Sequence, residues 1–399
     1  MNNGLRKLDA RTPRALHFYA VGPGAVSRVS VREGDFPEKS SFVRNAKLEA
    51  CASMSSTARA SANIPETMQA AELRAYTDGE TNIELFTVTK PVPVPRENEV
   101  LVRIAASPIN PSDVAFLQGN YGFKKRLPVV AGFEAGGTVV ASGGGTHADS
   151  LVGKRVACVA PFDRDGCWAD YMATAATNCL PLIDAISEEQ GAMVFVNPLT
   201  AYAMLDTARK AGAKAVVQTA AAGALGQMLF RLAKSWGMPC INIVRRPEQV
   251  EILKSIGADM VLDSSSERFE RQLLVGCKKE QATFAFDAVG GEITGTLAAC
   301  MPRGSRIMVY GGLSGKPIQL NPGILIFLGQ QVEGFWLSPY LEQQGPEAVA
   351  AMSDAVQQMI VSEMATQVRL RLPVEKAHEA VQDYARQMTG GKVLIVPGG

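Results

Sequence analysis

The 399-residue chain balances 40 basic against 39 acidic residues, a formal charge of +1, so it lacks the electrostatic footprint of a nucleic-acid or anionic-membrane binder. Its length exceeds one ordinary core and fits about two domains. Seven cysteines at irregular spacing, without a CxxC pair, suit free thiols in a reducing compartment, and no apolar run approaches the roughly 18 residues of a membrane span; the expectation is a soluble protein that acts on a small molecule.

Residues 1–67 are rich in Arg, Ser and Ala, interrupted by GPG, and poor in periodicity, which places them as an extension outside the folded unit. They resemble a mitochondrial transit segment in composition, but Asp9, Glu33, Asp35 and Glu38 are unwelcome in one. An over-long reading frame starting in earnest at Met54 or Met68 accounts for them equally well. The expected compartment is the cytoplasm, with the mitochondrial matrix as the alternative.

From Met68 to about Val196 short apolar or alternating runs, LRAY, IELFTV, EVLVRIAASPI, GGTVVAS, KRVACVA and WADYMAT, are separated by turn residues and predict a β-rich domain. The connector KPVPVPRENE reads as extended surface backbone. Ser187, three residues before Gln190, forms a capping box at the head of an apolar helix, SEEQGAMVF. From Lys214 the rhythm changes: KAVVQTA, PCINIV, MVLDS, ATFAFDAVG and SRIMVYGG alternate with helical stretches of about ten residues. Five apolar strands so separated specify a parallel sheet covered on both faces. After Trp336 one more helix is expected, then a terminal strand in GGKVLIVPG that returns to the first domain. The expected division is residues 68–197 with 337–399 as the β-rich domain and 198–336 as a doubly wound nucleotide-binding domain.

Three stretches bear on chemistry. In LQGNYGF, residues 117–123, Gly119, Asn120 and Gly122 tolerate positive φ, so a tight turn is the plain reading; whether Tyr121 decorates it or acts chemically stays open at this point. The loop TAAAGALGQ, residues 219–227, follows a strand and opens a helix, the place where backbone N–H groups receive a pyrophosphate. Gly223 and Gly226 fit the turn while Ala221 takes the place of the first glycine. About twenty residues on, NIVRRPE puts Arg245 and Arg246 where an NAD-binding protein would present an acid, and a guanidinium pair favours the 2′-phosphate of NADPH. A solvated helix start is the alternative, although cations there oppose the helix dipole.

A β-rich part before a nucleotide fold resembles the medium-chain dehydrogenase/reductase superfamily, with a GroES-like catalytic domain and a Rossmann cofactor domain. The zinc enzymes of that superfamily carry an early cysteine, a GHE motif and a cysteine cluster. Here SPINPSD and GFE stand instead, so Phe133 occupies the histidine position, and no metal is expected. The segments INPSD, QGNYG, LPVVAGFE, NPLTAYAML, INIVRR, VYGG and GFWLS resemble, in order, the zinc-free 2-enoyl thioester reductases of the mitochondrial trans-2-enoyl-CoA reductase type. GFEAGG for GNEG, Pro247 and Ala224 are departures from the family pattern.

That resemblance implies Tyr121 as the catalytic acid. It also implies cofactor contacts from Asn197, from Ala222, Gly223, Ala224, Leu225 and Gly226, from Arg245 and Arg246, from Tyr310, Gly311, Gly312 and Leu313, from Phe335, Trp336 and Leu337, and from Lys392. The implied reaction is hydride transfer from NADPH to C3 of an enoyl thioester carried by CoA or acyl carrier protein. Tyr121, with an ordinary pKa of about 10, would answer the charge that develops on C2 and the thioester oxygen. An NADPH:quinone or small-enone reductase and a non-catalytic NADPH-binding relative are the rival readings. Pairing through the last nucleotide-fold strand, near ILIFLGQQVEGFW, would bury an edge and make a homodimer.

Overall fold

The computed structural model describes residues 18–22, 25–29, 64–78 and 82–398. The chain divides into two units, Met1–Ser56 and Thr57–Gly399. In the first, Phe18–Gly22 and Ala25–Val29 pair as an antiparallel hairpin; the rest of the expected extension, up to residue 63, lies outside the described residues.

The β-rich part of the second unit is organised around the strand Glu99–Pro108, apolar and β-branched through its first half and buried nearly throughout. Glu134–Ser142 and Tyr171–Ala175 flank it antiparallel, with Arg155–Val159 and Cys179–Pro181 continuing beyond the former. Register shifts at Leu101/Val102 and Ile104/Ala106 are bulges that bend the strand. A separate three-stranded sheet joins Thr67–Leu73 to Phe86–Pro91 and Val129–Val130. The run LRAY therefore does not form a strand of its own: the pairing begins at Thr67 and ends at Leu73.

The capping box at Ser187 forms by half. Ser187 Oγ accepts from the Gln190 N–H at 3.3 Å, whereas the Gln190 amide clasps the Thr366 backbone through two hydrogen bonds, 2.8 and 2.9 Å. The helix it heads is a single turn, Glu188–Gly191, and the long helix is Val196–Lys210.

The nucleotide-fold sheet has six parallel strands: β1 (Ala215–Gln218), β2 (Cys240–Val244), β3 (Val261–Asp263), β4 (Ala282–Asp287), β5 (Arg306–Val309) and β6 (Gln331–Gly334), ordered 3-2-1-4-5-6. This order creates a crevice beyond the carboxyl ends of β1 and β4. Five strands were expected; β6 reads QVEG and carries no apolar run, because an edge strand is half solvated. Side chains alternate between two cores as strand geometry requires. Val216, Phe284, Phe286 and Met308 pack with helices Val196–Lys210 and Ala224–Ser235, while Val217, Ile241, Ile243, Ala285 and Ile307 face Phe269–Glu280 and Glu292–Cys300.

Beyond Trp336 the chain makes more than the one helix expected. Leu337–Gln344 and Pro346–Met359 are followed by a π-helical turn, Ile360–Met364, and Met352, Val356 and Ile360 join the core around Val196–Lys210. The chain then re-enters the first sheet through Val368–Leu372 and, after the helix Ala377–Arg386, through Lys392–Ile395, which pairs antiparallel with Glu99–Pro108. The terminal strand thus returns to the β-rich part.

Candidate active site

A cleft of about 1170 Å³ runs between the two sheets, larger than the usual pocket for one drug-sized ligand and roomy enough for a dinucleotide with a second molecule. Tyr121 stands at one end. The short helix Pro111–Leu117 leads to it and stops in a Schellman motif: Gly119, at φ +74°, donates to Phe116 O and Asn120 to Ala115 O, each at 2.8 Å. Only Gly119 of this loop takes a positive φ. The motif throws Tyr121 clear of the helix and onto a wall of aromatic rings. Its centroid lies 5.0 Å from Phe133, 5.3 Å from Phe123 and 6.2 Å from Trp336, with Phe162 5.1 Å from Phe123.

Trp336 Nε1 donates to the Tyr121 hydroxyl at 3.2 Å. An indole N–H can only donate, so the phenolic oxygen is the acceptor and its own hydrogen is left for a group in the cleft. Burial raises the Tyr121 pKa above its ordinary value, opposed by the Trp336 hydrogen bond and assisted by the Asp113 carboxylate. The hydroxyl therefore stays protonated at neutral pH.

Behind this wall lies a buried polar cluster that the sequence did not reveal. Asn110, Asp113, Glu134 and Lys392 are each at most 3 % exposed. Glu134 accepts from Asn110 Nδ2 and from the Val196 N–H, both at 2.7 Å. Lys392 Nζ donates to Asn110 Oδ1 and, at 3.1 Å, to Ile109 O. Asp113 accepts from the Asn110 N–H at 2.8 Å and the Phe133 N–H at 3.0 Å. Desolvation dominates the titrations: it pushes Asp113 up to about 7, raises Glu134, and lowers Lys392 to about 8.

The opposite end is the turn after β1. The positive φ of this turn falls on Ala220, at +50°, and Gly223 caps the helix Ala224–Ser235 without any side-chain cap. The first-turn N–H groups are thereby available to an anion. Gly226 matters for a different reason. A Cβ there would sit 2.5 Å from Ala221 O, so the helix can approach the turn only with glycine. Thr219 is fixed by Asp287 at 2.8 Å, and Asp287 also accepts from Thr294 at 2.6 Å and from the Val289 and Gly290 N–H groups, which shapes the loop after β4. At the end of β2, Arg245 and Arg246 are exposed; Arg246 meets Glu248 at 3.2 Å and Thr389 Oγ1 at 3.5 Å.

The structure brings Tyr121, Asn197, Ala222 to Gly226, Arg245, Arg246, Tyr310, Gly311, Leu313, Phe335 to Leu337 and Lys392 onto the walls of this one cleft. Gly312 is not on its wall. Lys392 reaches the cleft from inside the buried cluster, not as an exposed cation. Thr200, one turn beyond Asn197, also lines the cleft, although no motif in the sequence marks it. Among the described residues no group of three or more His, Cys, Asp or Glu side chains could hold a metal ion.

Known proteins share this fold. Residues 96–184 match the alcohol dehydrogenase GroES-like domain and residues 224–354 the zinc-binding dehydrogenase family. The human mitochondrial enoyl-[acyl-carrier-protein] reductase is 32% identical over 280 residues, 67% of this chain and 70% of that protein. A Mesorhizobium loti protein provisionally named NADPH:quinone reductase is 37% identical, with a TM-score of 0.77 over 84% of this chain and 100% of that one. A mycobacterial protein solved in complex with NADPH is 26% identical, with a TM-score of 0.71 over 83% and 100%. A GroES-like part joined to a six-stranded parallel sheet, with a cleft between them, defines an oxidoreductase that uses a nicotinamide cofactor. The chain belongs to the medium-chain dehydrogenase/reductase superfamily.

Proposed function

We propose that the chain reduces the activated double bond of a 2-enoyl thioester with NADPH, Tyr121 serving as the acid. The observation that carries this is the Tyr121 hydroxyl, presented at the cleft with its hydrogen unspent because Trp336 donates to its oxygen. The first turn of Ala224–Ser235 would hold the pyrophosphate, and Arg245 and Arg246 the 2′-phosphate. Asn197, Tyr310, Gly311, Leu313, Phe335, Trp336, Leu337 and Lys392 would line the remainder, with Gly312 shaping the loop behind. When bound, the cofactor supplies a hydride to C3 of the acceptor. Tyr121 then donates toward the charge that develops across C2 and the thioester oxygen, and the aromatic wall keeps water away from it. The name of the human relative, an enoyl-[acyl-carrier-protein] reductase, supports this substrate class, and the Mesorhizobium and mycobacterial proteins support NADPH.

The second reading is an NADPH:quinone reductase. Phe123, Phe133, Phe162 and Trp336 form a wall suited to a flat ring, and the Mesorhizobium protein carries that name.

We assign residues 68–197 and 337–399 to a catalytic domain and 198–336 to a cofactor domain, with the cytoplasm as the compartment; import of a residue 1–67 fusion into mitochondria would move it to the matrix. A homodimer through the β6 edge is supported by the neighbouring helix Pro322–Leu328, whose Ile326 and Phe327 are 70% and 71% exposed. The test of the catalytic assignment is Tyr121→Phe. Turnover should fall by roughly 10²-fold or more while NADPH binds as in the wild type, as expected for general acid catalysis. Unchanged turnover would remove Tyr121 from the mechanism.

A further inference from the structure

We infer that Glu134 is a positioning residue whose carboxylate sets the shape of the Tyr121 end of the cleft by tying together three segments that supply its walls. It is 1% exposed and does not itself line the cleft, although both groups it binds do. One oxygen holds Asn110, at the entry to the helix that leads to Tyr121; the other holds the N–H of Val196, the first residue of the helix that carries Asn197 and Thr200. Its charge balances Lys392, which is hydrogen-bonded in turn to the same Asn110 amide and to Ile109 O. The Asn110 amide is thus polarised from both sides, its oxygen by an ammonium and its nitrogen by a carboxylate. Such charge-assisted bonds are short and directional, and in this dry setting each partner is costly to leave unpaired.

The neighbouring residue makes the coupling tighter. Phe133 precedes Glu134; its N–H is held by Asp113, and its ring packs on Tyr121 at 5.0 Å. The Glu134 carboxylate therefore fixes the ends of Glu134–Ser142 and Val196–Lys210 to Asn110, and the Asn110 amide carries the link on to Lys392–Ile395, behind the aromatic wall. Besides Lys392 and Asp113, the ionisable groups around Glu134 are the thiols of Cys158 and Cys167, both kept neutral by burial. Lys392 faces Glu134, Asp113 and, from the helix Ala377–Arg386, the Tyr384 ring at 5.9 Å.

In Glu134→Gln the side chain keeps its size, but its amide N–H₂ must face one of two donors, Val196 N–H or Asn110 Nδ2, and Lys392 loses its counter-charge. The inference rests on NADPH as the cofactor for one readout only, so its failure can be told from failure of that reading. The first readout uses the full-length protein without cofactor: hydrogen exchange at the Val196 amide should speed by at least about tenfold in Glu134→Gln. Asp206→Asn is the control. Asp206 is also buried, on the helix that Val196 begins, but pairs with Arg209 and Lys210 and does not line the cleft, and its substitution should leave Val196 exchange unchanged.

The second readout is NADPH binding, followed by the fluorescence of Trp336 at the cleft. The Kd should rise about tenfold in Glu134→Gln, from the loss of a charged hydrogen-bond partner, and recover at least in part in Glu134→Asp. Wild-type affinity should weaken as the pH rises through about 8, where Lys392 gives up its proton. Because Glu134 holds that proton, the limb should move to lower pH in Glu134→Gln and stay in place in Asp206→Asn, a shift that loss of stability alone would not produce. Unchanged Val196 exchange, or a weakened Kd with an unmoved pH limb, would overturn the inference. Absence of NADPH binding by the wild type would instead overturn the functional reading.

Discussion

The two ends of the cleft are built on opposite principles. At the Tyr121 end, charged and polar groups are buried, mutually hydrogen-bonded and covered by aromatic rings, so the geometry stands before any ligand arrives. At the arginine end, the helix Pro247–Ser255 begins with Arg246 as its cap residue and no side-chain cap bond, and its cations lie in solvent. The first end is costly to assemble and rigid once made. The second is loosely determined until an anion meets it. A hydride-transfer site gains from this division, because reacting atoms need placement within fractions of an ångström, whereas recognition of a phosphate needs charge more than precision.

If that contrast is right, the arginines act through affinity and not through turnover. Replacing Arg245 and Arg246 together by alanine should weaken NADPH by about 10²-fold and leave NADH within about threefold, since two charge-assisted contacts to the phosphate are lost; equal losses for both cofactors in equilibrium titration would place the arginines elsewhere in the mechanism. A smaller effect is expected at the junction of the two ends. In Gly226→Ala the new methyl lies 2.5 Å from a backbone oxygen that cannot swing away, so Tm in a calorimetric scan should drop by about 2–6 °C from overpacking. An unaltered Tm would mean that the turn after β1 yields more easily than its packing suggests. Smallest of all is Glu248→Gln. Glu248 engages Arg246 at 3.2 Å with its side chain 67% exposed, and exposed pairs are weak, so freeing the guanidinium should tighten NADPH by no more than about fivefold. A large gain would show the arginine end to be far more ordered than this account holds.

The contrast also explains what could be read from the sequence. The arginine pair and the glycine turn are local: strand, turn and helix follow within thirty residues, so KAVVQTA and NIVRR pointed to the sheet and to a candidate anion site. The turn before Tyr121 was legible for a similar reason, its loop being punctuated by Gly119, whereas a chemical role for Tyr121 came only from the family resemblance. The buried cluster was not legible, because Asn110 meets Glu134 across 24 positions and Lys392 across 282, and only the closing of the last strand onto Glu99–Pro108 brings them together. Strand β6 was missing from the count of apolar strands because it is polar, although a last strand near ILIFLGQQVEGFW was expected to form the edge, and the extra helices after Trp336 were missed because their apolar faces are completed by Val196–Lys210, far back in the chain. Gln190 illustrates the same limit: its spacing from Ser187 predicted a local cap, while tertiary structure spends its amide on Thr366.

The central claim, that the rigid end serves addition of hydride to a conjugated thioester, is tested most directly by following NADPH oxidation by the purified protein with crotonyl-CoA, decenoyl-CoA and phenanthrenequinone side by side. The account predicts turnover of the thioesters that is lost in Tyr121→Phe. Turnover of the quinone alone, undiminished in that variant, would contradict it and make Tyr121 a wall of the pocket.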